Sequence, residues 1–166
     1  MYQHILAAID GSDSGWLVAD EAVRFAADQR ASLRFIHVVD EGVVYWGADG
    51  VILDSVFDTL RRSGQAILDR AAAAASQAGL KAETLLRETV GKRLPDVIIA
   101  EAAAWPADLL VLGAHGRSGV GHLLLGSVSE SVVRRSPVPV LLVRGRTEAA
   151  QGTPSPQDAP PGSGGR

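Results

Sequence analysis

Short runs of branched and apolar residues alternate along residues 1–146 with longer stretches in which apolar residues recur every three or four positions. The short runs predict strands, and the longer stretches predict amphipathic helices. The predicted strands are residues 4–10, 32–39, 81–88, 108–113 and 138–144. The predicted helices are residues 14–29, 51–78, 95–104 and 127–135. This alternation predicts βαβ units and therefore an α/β domain built on a parallel sheet.

The burial expected of the strands refines this picture. Four of the five are nearly continuous apolar runs, as in strands that helices cover on both faces, whereas 81–88 alternates and is predicted to lie at an edge. The sequence therefore predicts an open, doubly wound, five-stranded parallel sheet with helices on both faces, Rossmann-like in architecture. Ligands of such sheets bind beyond the carboxyl ends of the strands.

The last part of the chain has a different composition. From Thr147 onward it is rich in proline, glycine and serine and holds no apolar residue larger than alanine. Such a segment buries too little surface to offset the entropy of ordering it. We expect a single domain over 1–146 followed by a disordered tail over 147–166.

Composition excludes several classes of function. The chain has 166 residues, a net charge of −3 and no cysteine, so it offers neither a thiolate site nor the basic excess that nucleic acid or anionic lipid requires. Its first apolar run, residues 5–9, is too short for a signal peptide, and no run is long enough to span a bilayer. We expect a cytoplasmic protein with small, soluble partners and no binding to nucleic acid or membrane.

A glycine-rich segment follows the fourth predicted strand. Five glycines fall between Gly113 and Ser127, just before a predicted helix. Glycine lets backbone N–H groups approach an anion, and a helix N-terminus adds further N–H groups with a favourable dipole. The segment therefore predicts a phosphate site. It is not a Walker A loop, because Ser127 occupies the position of the lysine, and Leu124 breaks the dinucleotide fingerprint.

The spacing from Gly113 to Gly116 and on to Gly126-Ser127 resembles the ATP-binding branch of the universal stress protein family. Segments 5–12, 36–39, 107–113 and 137–143 resemble the same family, so the likeness covers nearly all of 1–146. The resemblance implies the strand order 3-2-1-4-5 and a nucleotide across the ends of strands one and four. It also implies a role in stress adaptation that depends on bound ATP and Mg²⁺.

The resemblance implies a site residue by residue. Asp10 is expected near the ribose and the metal, the backbone of Val38 near adenine, and the glycine-rich segment along the ribose and phosphates. Ala8 replaces a proline that the family often carries, which puts the adenine contacts in doubt more than the phosphate contacts. The full expected set is Ala8, Asp10, Val38, Gly113, Gly116, Arg117, Gly126, Ser127 and Val128.

The resemblance also implies partners and leaves alternatives open. Family members commonly pair through the fifth strand, so a homodimer through Val138 to Val143 is expected, and an unidentified protein partner fits a regulatory role. The alternatives are an ATP hydrolase or phosphotransferase proper, and a stress protein without nucleotide. Because no Walker lysine or catalytic-loop signature is present, binding with at most slow hydrolysis is favoured.

Other polar and aromatic residues receive simpler interpretations. The four histidines lack the spacing of metal ligands, and His37 is expected to satisfy its hydrogen bonds locally. Asp13 is explained by helix capping, and Glu130 is expected to point away from a phosphate. Tyr45-Trp46 is either packing, a dimer contact or a lid over the base.

Overall fold

The predicted alternation of strands and helices is present in the computed structural model, which describes residues 1–40, 54–114 and 125–144. Its elements within those ranges, in chain order, are β1 (His4–Ala8), α1 (Asp13–Gln29), β2 (Ser32–Val39), α2 (Asp54–Gln77), β3 (Ala82–Glu88), α3 (Leu94–Ala104), β4 (Leu109–Gly113), α4 (Ser127–Arg135) and β5 (Val140–Val143). The expected tail, 147–166, lies outside the described ranges.

All five strands pair in parallel, in the order β3-β2-β1-β4-β5. The chain moves outward from β1 to β3, then returns to the other side of β1 to place β4 and β5. The order therefore reverses between β1 and β4, where Leu6 lies beside Leu110. A crevice forms at such a reversal beyond the carboxyl ends of the strands. The predicted fold class is confirmed, as is the position of β3 at an edge.

Two apolar layers hold helices on the faces of the sheet. On one face α1 and α2 cover side chains that include Ile5, Phe35 and Val111. On the other face the cluster around Leu6 and Leu110 is covered by α3 and α4. Because β1, β2 and β4 are covered on both sides, their apolar residues run without alternation, as the sequence indicates.

Local chemistry fixes where the helices begin. Ser12 is the N-cap of α1, and its hydroxyl accepts a hydrogen bond from the Gly15 N–H. Pro95 lies in the first turn of α3, where its missing N–H costs nothing. Gly126 is the N-cap of α4 and has an extended backbone. The first turns of α1 and α4 therefore begin at the carboxyl edge of the sheet.

Several predicted element ends are wrong by one or two residues. β1 ends at Ala8 rather than Asp10, because the Asp10 carboxylate turns the chain by accepting a hydrogen bond from the Ser12 N–H. β5 begins at Val140 rather than 138, where Pro139 lacks an N–H and the Ser136 hydroxyl bonds to Val138. The start predicted for α2, 51–53, lies outside the described ranges, while α1 and α3 each begin one residue earlier than predicted.

Candidate functional site

A cavity of about 440 Å³ lies at the carboxyl edge of the sheet. The ends of β1, β2 and β4 form its floor, and α2, α3 and the start of α4 contribute to its walls. The cavity coincides with the reversal of strand order, which is the usual position of a ligand in an open α/β sheet.

The cavity gathers most of the residues that the sequence nominated. Seven of the nine line it, and they come from three strand ends and one helix start: Ala8, Asp10, Val38, Gly113, Gly126, Ser127 and Val128. Gly116 and Arg117 fall outside the described residues, as do Tyr45 and Trp46. Side chains that are about 100 residues apart in the sequence are thus brought to one surface.

The carboxylate at the end of β1 is held by its own turn. The backbone N–H and hydroxyl of Ser12 both donate to Asp10 Oδ1, at 3.0 and 2.6 Å. A Cβ atom placed on Gly15 would lie 2.4 Å from the same oxygen, so glycine at that position leaves room for the carboxylate. The turn therefore fixes one orientation of Asp10 beside the cavity.

The start of α4 forms the opposite side of the cavity. The Gly126 N–H donates to the carbonyl of Ala114 at 2.9 Å, and the Ser129 hydroxyl donates to the carbonyl of Gly113 at 2.6 Å. These two bonds hold the first turn of α4 against the end of β4. The N-terminus of a helix carries N–H groups without intrahelical partners and a partial positive charge. This side of the cavity suits an anion.

Glu130 lies in the first turn of α4, but its carboxylate is directed away from the N-terminus of the helix. Its side chain is exposed and bonds to Arg134 one turn further along the helix, at 2.7 Å. The expected orientation of Glu130, away from a bound phosphate, agrees with this pairing.

Between the Asp10 turn and the start of α4 the cavity is mainly apolar. Apolar side chains from β2, α2, α3 and β4 contribute to it, and they include Ile36, Val38, Leu60, Leu94, Ile98 and Leu112. Apolar walls with a few polar groups are typical of sites that bind small molecules and cofactors. Asp40 and Ser63 add polar groups on the β2 and α2 side.

His37 lies in β2, as the sequence interpretation expected, and lines the cavity. Its hydrogen bond was expected to be local, but its Nδ1 atom lies 2.8 Å from the carbonyl oxygen of Ile9, which follows the end of β1. The side chain is 5% exposed. Ser129, Leu60 and Ser63 were not nominated at all, because their place at the cavity depends on how α2 and α4 pack on the sheet.

Within the described part of the chain, no three His, Cys, Asp or Glu side chains come together as a metal cluster. Mg²⁺ does not require such a cluster, since it is commonly held by one or two carboxylates together with the phosphates of a nucleotide. The Asp10 carboxylate, beside a cavity that the N-terminus of α4 also borders, fits that pattern. No helix in the described ranges has the length and apolarity needed to cross a bilayer.

Fold and cavity together define a doubly wound α/β protein with a cavity at the point where strand order reverses. Residues 1–144 match the family model described as "Universal stress protein family". The chain belongs to the universal stress protein family.

Relatives and solved structures agree with this assignment. The chain is 34% identical over 151 residues to "Universal stress protein YxiE" of Bacillus subtilis, a match that covers 87% of this chain and 100% of that protein. A universal stress protein from Burkholderia pseudomallei has 30% identity and a TM-score of 0.71, over 86% of this chain and 96% of the other. A universal stress protein in complex with cAMP has 30% identity and a TM-score of 0.62, over 86% and 97%.

Proposed function

We propose that this protein binds ATP together with Mg²⁺ in the cavity at the carboxyl edge of the sheet, and that nucleotide occupancy serves a regulatory role in stress adaptation. The observation that carries the proposal is the convergence of seven nominated residues on one cavity. The nominated residues came from the glycine-rich spacing and from the family resemblance, and the strand order and helix packing described above bring these seven to one surface.

The phosphates belong at the start of α4. The backbone N–H groups of Ser127 and Val128 lie in its first turn, and the Ser127 hydroxyl is exposed beside them. Gly113 and Gly126 allow the backbone to approach the phosphate chain closely. Arg117, which lies outside the described residues, is proposed as an additional cation toward the phosphates.

Asp10 would hold Mg²⁺ from the other side of the phosphates. The metal ion, when bound, neutralises part of the charge of the phosphate chain. Ser12 orients the carboxylate by donating two hydrogen bonds to Oδ1, so the carboxylate need not reorganise when the metal ion and nucleotide arrive.

The adenine ring belongs between Val38 and the apolar walls contributed by α2 and α3. Burial of a flat heterocycle against Leu60 and Ile98 removes apolar surface from water, and the backbone of β2 can pair with the edge of the base. The related protein that binds cAMP supports an adenine nucleotide and makes cAMP a second candidate ligand. The two ligands differ because only ATP presents a triphosphate chain to α4 and Asp10.

Binding is favoured over catalysis. Hydrolysis needs a group that orients and activates water beside the terminal phosphate. Asp10 Oδ1 is engaged by Ser12, and the spacing supplies no phosphate-reaching lysine. We expect turnover well below ~1 s⁻¹ in purified protein. Steady turnover above that rate, abolished in Asp10→Ala, would instead support the hydrolase alternative.

Mass spectrometry of the small molecules released by denaturing freshly purified protein tests the proposal. We expect adenine nucleotide from the wild type and much less from Gly126→Val, whose added bulk stands in the path of the phosphates. Gly126 has φ −61° and ψ 144°, which any residue adopts, so the variant carries no backbone strain. Ser131→Val, further along α4 and outside the cavity lining, is the matched control and should retain nucleotide.

The pattern of release distinguishes the alternatives. ATP or ADP in the released fraction supports the proposal, while cAMP alone would replace the proposed ligand with the second candidate. Release of no adenine nucleotide, together with no change in melting temperature on addition of ATP and Mg²⁺, would favour a nucleotide-free stress protein.

A further inference from the structure

His37 is a buried titratable residue to which the proposed binding of ATP assigns no role. It lies near the end of β2, is 5% exposed and lines the cavity next to Val38. Its Nδ1 atom is 2.8 Å from the carbonyl oxygen of Ile9. Because a carbonyl oxygen can only accept, Nδ1 must carry the hydrogen in this contact. The ring thereby joins β2 to the residue that immediately precedes Asp10.

The other edge of the same ring supports α2. A Cβ atom placed on Gly64 would lie 2.7 Å from His37 Cδ2 and 2.7 Å from Leu86 Cδ1. Glycine is costly in a helix interior relative to alanine, so its presence in the middle of α2 needs a packing reason. The close approach of α2 to His37 and Leu86 is that reason. Leu60 and Ser63, which precede Gly64 on α2, reach the cavity as a result.

We propose that His37 is a positioning residue of the nucleotide site. Through Nδ1 it holds the Ile9–Asp10 peptide at the end of β1, and through its Cδ2 edge it seats α2 against the sheet. The inference rests on the proposed function, because the site that it positions is the proposed ATP site. His37 itself is not required to touch the ligand.

Loss of the Nδ1 hydrogen bond would act on both folding and binding. Ile9 is 4% exposed, so without this donor its carbonyl oxygen would be a largely buried acceptor that has lost its hydrogen bond from His37. An unsatisfied buried acceptor is costly, and the Ile9–Asp10 peptide would relax to reduce that cost. Nucleotide binding would then have to restore the original position of Asp10, and the affinity for ATP would fall.

Two isosteric variants separate the role of Nδ1 from that of ring bulk. In His37→Asn the side-chain amide nitrogen can occupy the position of Nδ1, whereas in His37→Gln it can occupy that of Nε2. Calorimetric titration with ATP and Mg²⁺ should show an affinity within about threefold of wild type for His37→Asn. For His37→Gln we expect affinity weakened about tenfold or more, the factor that corresponds to ~1.4 kcal/mol.

His4→Gln is the matched control for this pair of variants. His4 begins β1 at the opposite end of the strand, where its ring contacts Trp105 with the centroids 5.4 Å apart. The control should bind ATP as the wild type does. Gly64→Ala tests the other contact and should weaken ATP binding, because its Cβ displaces either the ring or α2.

Two readouts that need no nucleotide keep the inference separate from the proposed function. Nitrogen-15 spectra of the His37 ring should show hydrogen on Nδ1 at neutral pH. Amide hydrogen exchange at Asp10 and Gly11 should accelerate in His37→Gln and not in His37→Asn. If both readouts give these results but the wild type does not bind ATP, the proposed function is wrong, while the positioning of the end of β1 by His37 stands.

The inference is overturned by any of three results. The first is a ring that carries its hydrogen on Nε2 alone. The second is equal ATP affinity in wild type and His37→Gln. The third is an equal loss of affinity in His37→Asn and His37→Gln, since that outcome would assign the effect to the shape of the ring and not to the bond with Ile9.

Discussion

Gly11 and Gly79 share nearly the same left-handed backbone, with φ of 76° and 77°, but differ in their surroundings. A Cβ atom on Gly11 would lie 2.5 Å from Ile67 Cδ1, while one on Gly79 would meet nothing within 4 Å. Both alanine variants pay the ~1–2 kcal/mol of a left-handed residue, and Gly11→Ala adds ~1–3 kcal/mol for the contact. We predict from urea denaturation that Gly11→Ala lowers the free energy of unfolding more than Gly79→Ala.

A difference of zero between the two variants would show that Ile67 moves aside without cost. The double variant Gly11→Ala, Ile67→Val provides the control, because removing the methyl group should recover part of the loss. Gly11 lies between Asp10 and Ser12, so the same comparison reports how tightly this turn is packed against α2.

At the residue scale, the sequence could nominate those cavity residues whose chemistry is local. Asp10, Gly126 and Ser127 line the cavity, and a carboxylate after a buried strand and a glycine before a helix are recognisable without tertiary information. The bond between His37 and Ile9 was not predicted, because it joins β2 to the residue after β1 and therefore depends on strand pairing that neither segment specifies. Two features of the sequence could have pointed to the role of His37. One is Gly64 in the middle of a predicted helix, and the other is a histidine within an apolar strand.

At the scale of elements, strand identity was predictable from the apolar runs, and strand order followed only from the family resemblance. Strand ends and helix packing were not predictable. Apolar runs identify β1, β2 and β4 because helices bury both faces of them. The cavity walls from α2 and α3 were missed, because the rotation of a helix over a sheet depends on contacts such as that of Gly64 with His37. The end of β1 was misplaced because the Asp10 turn overrides the β propensity of Ile9.

An ion pair joins two of the helices that border the cavity. Asp96, in the first turn of α3, pairs with Arg135 at the end of α4 and with Arg93. The hydrogen bond from Arg135 holds the pKa of Asp96 below its ordinary value, against an opposing effect of desolvation. Because the pKa is lower in the folded state, the pair stabilises the fold above the ordinary pKa and loses this effect as pH falls through the folded value.

We predict that Arg135→Ala raises the pKa of Asp96, measured by following its side-chain carboxyl carbon in an NMR pH titration. Arg93→Ala should raise it less, because the bond from Arg135 is the larger cause. A pKa that is unchanged in Arg135→Ala would mean that the two helices are not coupled through this pair in solution. The pair is exposed, so high salt should reduce the difference.

At the scale of the whole molecule, β5 forms one edge of the sheet and is proposed as the homodimer interface. The carbonyls of Pro139 and Val143 accept bonds from β4. Backbone groups of successive residues in a parallel strand point to opposite sides, so the Leu142 N–H points to the outer edge. If two copies pair there, Leu142→Pro removes one bond of the interface without removing a bond to β4.

We predict from sedimentation velocity that Leu142→Pro weakens dimerisation more than Leu142→Ala. The alanine variant is the control for lost side-chain packing, since Leu142 also contacts the core beneath α3 and α4. A wild type that remains a monomer at high concentration would contradict the proposed dimer. Equal weakening in the two variants would assign the interface to side chains and not to strand pairing.

The most direct measurement of the central claim is a calorimetric titration of nucleotide-depleted protein with ATP and Mg²⁺. The account predicts one saturable site per chain, absent in Gly126→Val and retained in Ser131→Val. At a ligand concentration one hundred times the dissociation constant, binding should also stabilise the fold by about 2.7 kcal/mol. No saturable heat and no shift in melting temperature with the wild-type protein would contradict the account.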